Sequence, residues 1–334
     1  MNYTTTILRV SRSTSDILTA MPYIVNIFIG TFLVVMGNIG CIGNVIVYRS
    51  PIFCNQAYAK YLLAETISDF FVINLVLLTR VIEKGYGIPV YTTRYDFICR
   101  IRQTGSYYFV LTSFSYYTLA TLDRILSAQR SYWLRKWNNR ISLAYKLIVA
   151  CAIIWLLLIG HRLFIYALVH GKCNPQVAVY DQVNNYIEAI VMELGPLIIV
   201  FTLAYLLKRS LRNIIQRPTA SITIGKHSRV HHIDSQITLM LLLQSIVAII
   251  SFLPYGIETL YDHITETWYK TSLQLAIEKI IGQIAHTLLY TFSASSFHIS
   301  IISSHGFRRE IKRILRKKMI HPLPTTPTFT AKIR

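Results

Sequence analysis

YIVNIFIGTFLVVMGNIGCIGNVIVY, residues 23–48, runs for 26 residues without one charged side chain. At a helical rise of 1.5 Å per residue, about 20 such residues cross the hydrocarbon core of a bilayer, so the run is long enough to span it. It is too long for the apolar region of a secretion signal and no small-residue cleavage site follows, so it reads as a helix retained in the protein. Outward from it, further apolar stretches follow at Tyr58–Thr79, Ile101–Leu126, Leu143–Val169, Asn184–Leu207, Gln236–Ile257 and Leu273–Ile302. The third is the least apolar, with Thr, Ser and Tyr throughout residues 103–121. Polar side chains at that depth normally face a bundle interior. The reading is an all-α membrane protein, a seven-transmembrane helix bundle.

Composition agrees. The 334 residues are 53% hydrophobic and only 15% charged, against about 25% charged in soluble domains. A net charge of +19 would suit nucleic acid, but here the basic residues are interleaved with long apolar runs, which excludes a polar binding face. They fall instead in alternate connections. Residues 49–60, 123–146, 208–235 and 305–334 hold 23 Lys and Arg against three acids, and the rest of the chain nets −1. Basic excess marks the cytoplasmic side, which puts the N-terminus outside and the C-terminus inside a plasma membrane. The chain divides into an extracellular segment 1–22, the bundle 23–304, a short amphipathic helix 305–318 and a cytoplasmic tail 319–334. In the amphipathic stretch Phe307, Ile311, Ile314 and Leu315 share one face among basic residues, a pattern suited to anionic inner-leaflet lipid. Disorder is expected before Tyr23, around Pro218–Arg229 and after Met319. The triplet Asn2-Tyr3-Thr4 is a candidate glycosylation site.

Of five cysteines, Cys41 and Cys151 fall in spans and Cys54 in an inner loop. Cys99 and Cys173 alone face the oxidising side, where a disulfide between them is permitted. Cys99 lies 25 residues before Arg124, a helical rise of about 37 Å, so it marks the outer end of the third helix and Asp123-Arg124-Ile125 the inner end.

Seven spans with the N-terminus outside, a cysteine 25 residues before an Asp-Arg pair, and a partner cysteine in the second outer loop together resemble the rhodopsin-like (class A) G-protein-coupled receptors. Gly43-Asn44-Val45, Ser68-Asp69-Phe70, Trp155, Pro196, Ser251-Phe252-Leu253-Pro254 and Phe307-Arg308 look like that family's landmarks in order, and the resemblance covers roughly residues 23–318. It implies a polar core of Asn44, Asp69, Ser113, Ser293 and Ser296 able to hold a sodium ion, the one bound group expected. It also implies an activation switch of Asp123, Arg124, Asp234, Phe252 and Pro254. The G-protein contact would comprise Arg124, Tyr132, Trp133, Lys208, Arg209 and Arg212. Glu65, four residues before Asp69, has no role in the family pattern.

Departures are specific. Asp-Arg-Tyr is Asp-Arg-Ile, Asn-Pro-x-x-Tyr is reduced to Ser296 and Ser300 at its ends, and the fifth-helix Tyr is replaced by Ala204 with Tyr205 about 100° around the helix. The outer cavity has Ser106 where amine receptors carry Asp and Tyr290 where retinal proteins carry Lys. Its acids, Glu188, Glu193, Glu258, Asp262 and Glu278, stand with Tyr107 and Tyr290 and suit a cationic group. The implied function is a receptor of the neuropeptide type, passing the binding of a small cationic peptide to a heterotrimeric G protein. The alternatives are a seven-helix ion or proton-coupled transporter or channel using Glu65, Asp69 and His298, and a receptor-like protein with weak signalling. Phosphate loops, His-Glu-x-x-His and Gly-x-Ser-x-Gly are missing from the sequence, so no enzyme is expected.

Overall fold

The computed structural model describes residues 20–88, 96–127, 140–169, 172–176, 180, 184, 187, 189–215, 226–265 and 267–320. The first two helices are α1 (Ala20–Tyr48) and α2 (Ala57–Gly85), the fourth is α4 (Ile141–Ile165), and between them lies α3 (Asp96–Ser127). A hairpin of β1 (Tyr166–Val169) and β2 (Lys172–Pro175) follows. Then come α5 (Gly195–Ile215) and α6 (Lys226–Thr265). The seventh, α7, has two parts, Ser272–Leu289 and Thr291–Ser303, and α8 (His305–Ile320) ends the described chain.

Among the described residues four helical stretches are long and apolar enough to cross a membrane: α1, α2, α4 and Ser235–Thr265 of α6. The others fall short for visible reasons. Helix α3 lies at the centre, packed against α2, α4, α5 and α6, and its Thr104, Thr112, Ser113, Tyr116, Tyr117 and Thr121 are buried in protein. Trp155 Nε1 of α4 donates to Ser115 Oγ of α3 at 2.9 Å. Helix α7 is interrupted at Tyr290, and α5 is preceded by a π-helical turn, Ala189–Leu194.

The surface is inverted relative to a water-soluble domain. Phe28, Phe32, Leu157, Phe164 and Ile198 are exposed, while Asn44, Glu65, Asp69, Ser113 and Gln244 are buried. That is the distribution a hydrocarbon solvent selects. On the α1–α7 seam the helices approach at glycines: a Cβ on Gly43 would run into the Phe297 ring, the close backbone approach that small residues allow between membrane helices.

At the end that the charge pattern of the sequence assigns to the outside, Cys99 and Cys173 form a disulfide with a Cα separation of 5.7 Å. The hairpin is pinned beside it, because Leu168 N–H donates to Asp96 Oδ1 at 2.8 Å and Arg100 pairs with Asp96 at 2.6 Å. The backbone N–H of Leu168 holds the Asp96 carboxyl below the usual carboxylate range. At the inner end Phe307 is buried among Tyr48, Phe53 and Phe297. Gln236 of α6 accepts from Gly306 N–H at 3.0 Å, tying α6 to the start of α8.

Three boundaries differ from expectation. Helix α1 begins at Ala20, and α6 begins at Lys226, inside the stretch read as disordered. The seventh span is not one continuous helix; it turns at Tyr290, whose side chain is buried at the break.

Candidate functional site: two buried polar centres along the bundle axis

The deeper centre grows from α2. Asp69 and Glu65 lie one helical turn apart, so both carboxylates occupy the same face, the face turned into the bundle. Ser113 Oγ of α3 donates to Asp69 Oδ1 at 2.6 Å, and Ser293 of α7 lies against the same carboxylate. Asn44 Nδ2 of α1 donates to Ser296 Oγ at 2.9 Å. The structure thus brings Asn44, Asp69, Ser113, Ser293 and Ser296 into one polar core. Asp69 Oδ2 and Asn44 Oδ1 are buried without a hydrogen-bond partner. Two bare oxygens beside three hydroxyls are a donor set that fits a hard cation such as sodium.

Glu65 is not idle. Gln244 Nε2 of α6 donates to its Oε1 at 2.8 Å, a bond between α2 and α6 across 179 residues of sequence. One turn along α6, the Tyr117 hydroxyl of α3 donates to Leu241 O at 3.1 Å and bonds to Ser245 Oγ. Neither Gln244 nor Tyr117 is a site residue in the sequence reading. The available signal was a lone amide inside the apolar run LLLQSIVAII, residues 241–250, since such a residue turns inward. On the outer side of the core, Phe252 packs edge-on to Phe114 at 5.9 Å and against Phe292 at 5.6 Å, two residues before the helix-internal Pro254.

At the inner end of α3, Arg124 Nη2 pairs with Asp123 Oδ2 at 2.7 Å, and its guanidinium lies 4.3 Å from the ring centre of Tyr58. Arg124 is only 4% exposed, so in this conformation it is covered. Lys208, Arg209 and Arg212 are exposed on α5. Tyr132 and Trp133, like Asn2 and Glu188, lie outside the described residues, as do the side chains of Asp234 and Glu193. The displaced Tyr205 is 66% exposed and faces away from the bundle. Ser300 Oγ donates to Ser296 O, within its own helix.

The outer centre differs from the acidic pocket of the sequence reading. Ser106 Oγ donates to Arg102 O of its own helix at 2.6 Å. Tyr107 is covered by the Arg162 guanidinium, 3.6 Å from its ring centre. Glu278 is bonded by Lys270 at 2.8 Å and by the Tyr261 hydroxyl, and that carboxylate raises the Lys270 ammonium above its ordinary range. Glu258 reaches across to Gly282 of α7, where a Cβ would stand 2.5 Å from its Oε1. With Asp262 it lines a groove of about 460 Å³ between α6 and α7 whose walls include Ile257, Ile277 and Ile281. Tyr290 is buried behind His286, ring centres 5.7 Å apart.

No curated protein matches the chain. Residues 159–318, just under half of it, match the family described as serpentine type 7TM GPCR chemoreceptor Srw. That similarity and the four apolar helices support a multi-pass membrane protein and a receptor of the G-protein-coupled type.

Proposed function

We propose that the chain is a plasma-membrane receptor of the rhodopsin-like kind, with its N-terminus outside, that passes the binding of an extracellular ligand to a heterotrimeric G protein. The observation that supports this best is the covered Asp123–Arg124 pair at the inner end of α3. A buried guanidinium paired with a neighbouring carboxylate can exchange that partner for another when the inner end opens, which suits an element with two arrangements. The exposed Lys208, Arg209 and Arg212 would join Arg124 in meeting the G protein once the inner end opens. A sodium ion would sit on Asp69 with Asn44, Ser113, Ser293 and Ser296, where it would neutralise that carboxylate.

The ligand we infer is a peptide. With Glu278 bonded to Lys270, the acids left for its cationic group among the described residues are Glu258 and Asp262, near Tyr255 and Tyr261. Asp123→Asn, and independently Asp234→Ala, should raise ligand-independent nucleotide exchange on a co-expressed G protein. Unchanged basal exchange in both variants at normal surface expression would remove the switch from the reading.

A further inference from the structure

The outer half of the bundle holds a half-buried cation that, among the described residues, pairs with no acid. Arg80, which ends the α-helical turn Leu78–Arg80 between two π-helical turns of α2, donates from Nη2 to Gln283 Oε1 of α7 at 3.0 Å. The same amide oxygen already accepts from Asn26 of α1 at 2.7 Å. Arg80 Nε is buried with no partner, and among the described residues no ion pair forms at Arg80. The nearest acid on its own helix, Glu83, is taken by Arg102 at 2.7 Å. Glu258 lies within electrostatic range, as do Tyr255, Tyr290 and the like charge of Arg102. His286 lies within electrostatic range of Arg80, its Nδ1 likewise buried and unpartnered, with the Tyr255 ring 5.2 Å away. Four elements, α1, α2, α6 and α7, thus come together around a guanidinium that, among the described residues, is bonded to a neutral amide alone.

A guanidinium partly withdrawn from water favours an anion as partner, and its planar fork matches a carboxylate through two parallel hydrogen bonds. Nε is one prong of that fork. The imidazole supplies a further hydrogen-bonding nitrogen, held beside the Tyr255 ring. We propose that Arg80, assisted by His286, binds a carboxylate of the extracellular ligand. The chemistry is shared by a peptide C-terminus and a small organic acid. The inference rests on the receptor reading above only in taking the ligand to enter from outside, and it turns the expected pocket for a cation into one that also demands an anion.

The test uses the purified full chain in lipid nanodiscs. Thermal midpoints are measured with benzoate, 4-phenylbutyrate and short peptides ending in a free carboxylate, each against its amide. At least one acid should raise the midpoint where its amide does not, and Arg80→Gln should weaken that acid's apparent affinity about tenfold to hundredfold. A response to small acids but not peptide acids, or the reverse, identifies the source of the carboxylate. Acids and amides acting alike, or no acid raising the midpoint, would overturn the proposal, as would an undiminished response in Arg80→Gln. The acid–amide comparison needs no variant, so misfolding of Arg80→Gln leaves the test standing. Nucleotide exchange on added G protein is read separately. Acid binding without exchange sinks the receptor reading alone, and exchange driven equally by acid and amide sinks the Arg80 site alone.

Discussion

Gln244 illustrates how one polar residue can govern a buried contact. Among the described residues its amide is the one hydrogen-bond donor to Glu65, and both side chains are 2% exposed. Replacing Gln244 by Leu leaves a buried carboxyl without that donor, which costs about 1–3 kcal/mol. Replacing both residues by Leu removes the polar group along with its partner. Thermal unfolding in detergent should therefore show Gln244→Leu clearly destabilised and the Glu65→Leu/Gln244→Leu double variant recovering much of the loss. A double variant as weak as the sum of its singles would mean that the two side chains do not act as a pair. At this scale the sequence was legible where chemistry is local. Asp69 stood out as a mid-membrane acid, and Cys99 and Cys173 as the two cysteines on one side. The Glu65–Gln244 bond was not legible, because it depends on which faces of α2 and α6 meet. Neither did spacing reveal that Lys270 bonds Glu278 from the loop before α7.

Helices and hairpin carry the next level. The outer end of α3 is joined to the hairpin by a covalent bond at Cys99 and by the Asp96 carboxylate on Leu168 N–H. A carboxyl whose pKa is lowered on folding stabilises the fold above its unfolded value, near 3.9. That contribution is lost as the pH falls through the lower, folded value. Hydrogen exchange at the Leu168 amide should accordingly show added opening on acidification below about pH 4, beyond the intrinsic change of exchange with pH. In Asp96→Asn that acid-dependent opening should vanish; its persistence would place the effect elsewhere. The helices themselves were legible to different degrees. An uncharged run announced α1, whereas α3 was weak in hydropathy because protein, rather than lipid, surrounds it. The turn at Tyr290 had no Gly or Pro to mark it, and the π-helical turns at Asn26–Gly30, Val72–Leu77, Val81–Gly85 and Ala189–Leu194 left no sign in composition.

For the molecule as a whole, charge and polarity are sorted along two different directions. Apolar residues are outermost and polar ones innermost across the bundle, while Lys and Arg are sorted along its axis, with 23 in the four connections assigned to one side. The first ordering reflects solvent and the second reflects insertion. An epitope placed before Met1 should be labelled on intact cells, and one placed after Arg334 only once the cells are permeabilised. The opposite pattern would reverse every assignment of inner and outer faces made from the charge count.

One small contact has mechanical meaning at this scale. Through the Gln236 side chain, a single amide oxygen connects the lower end of α6 to the turn that launches α8, while Phe307 anchors that turn to α1 and α7 through Tyr48 and Phe297. The surface helix is therefore geared to the bundle rather than trailing from it. A reporter dye carried on α8 would register displacement of α6 without touching either polar centre.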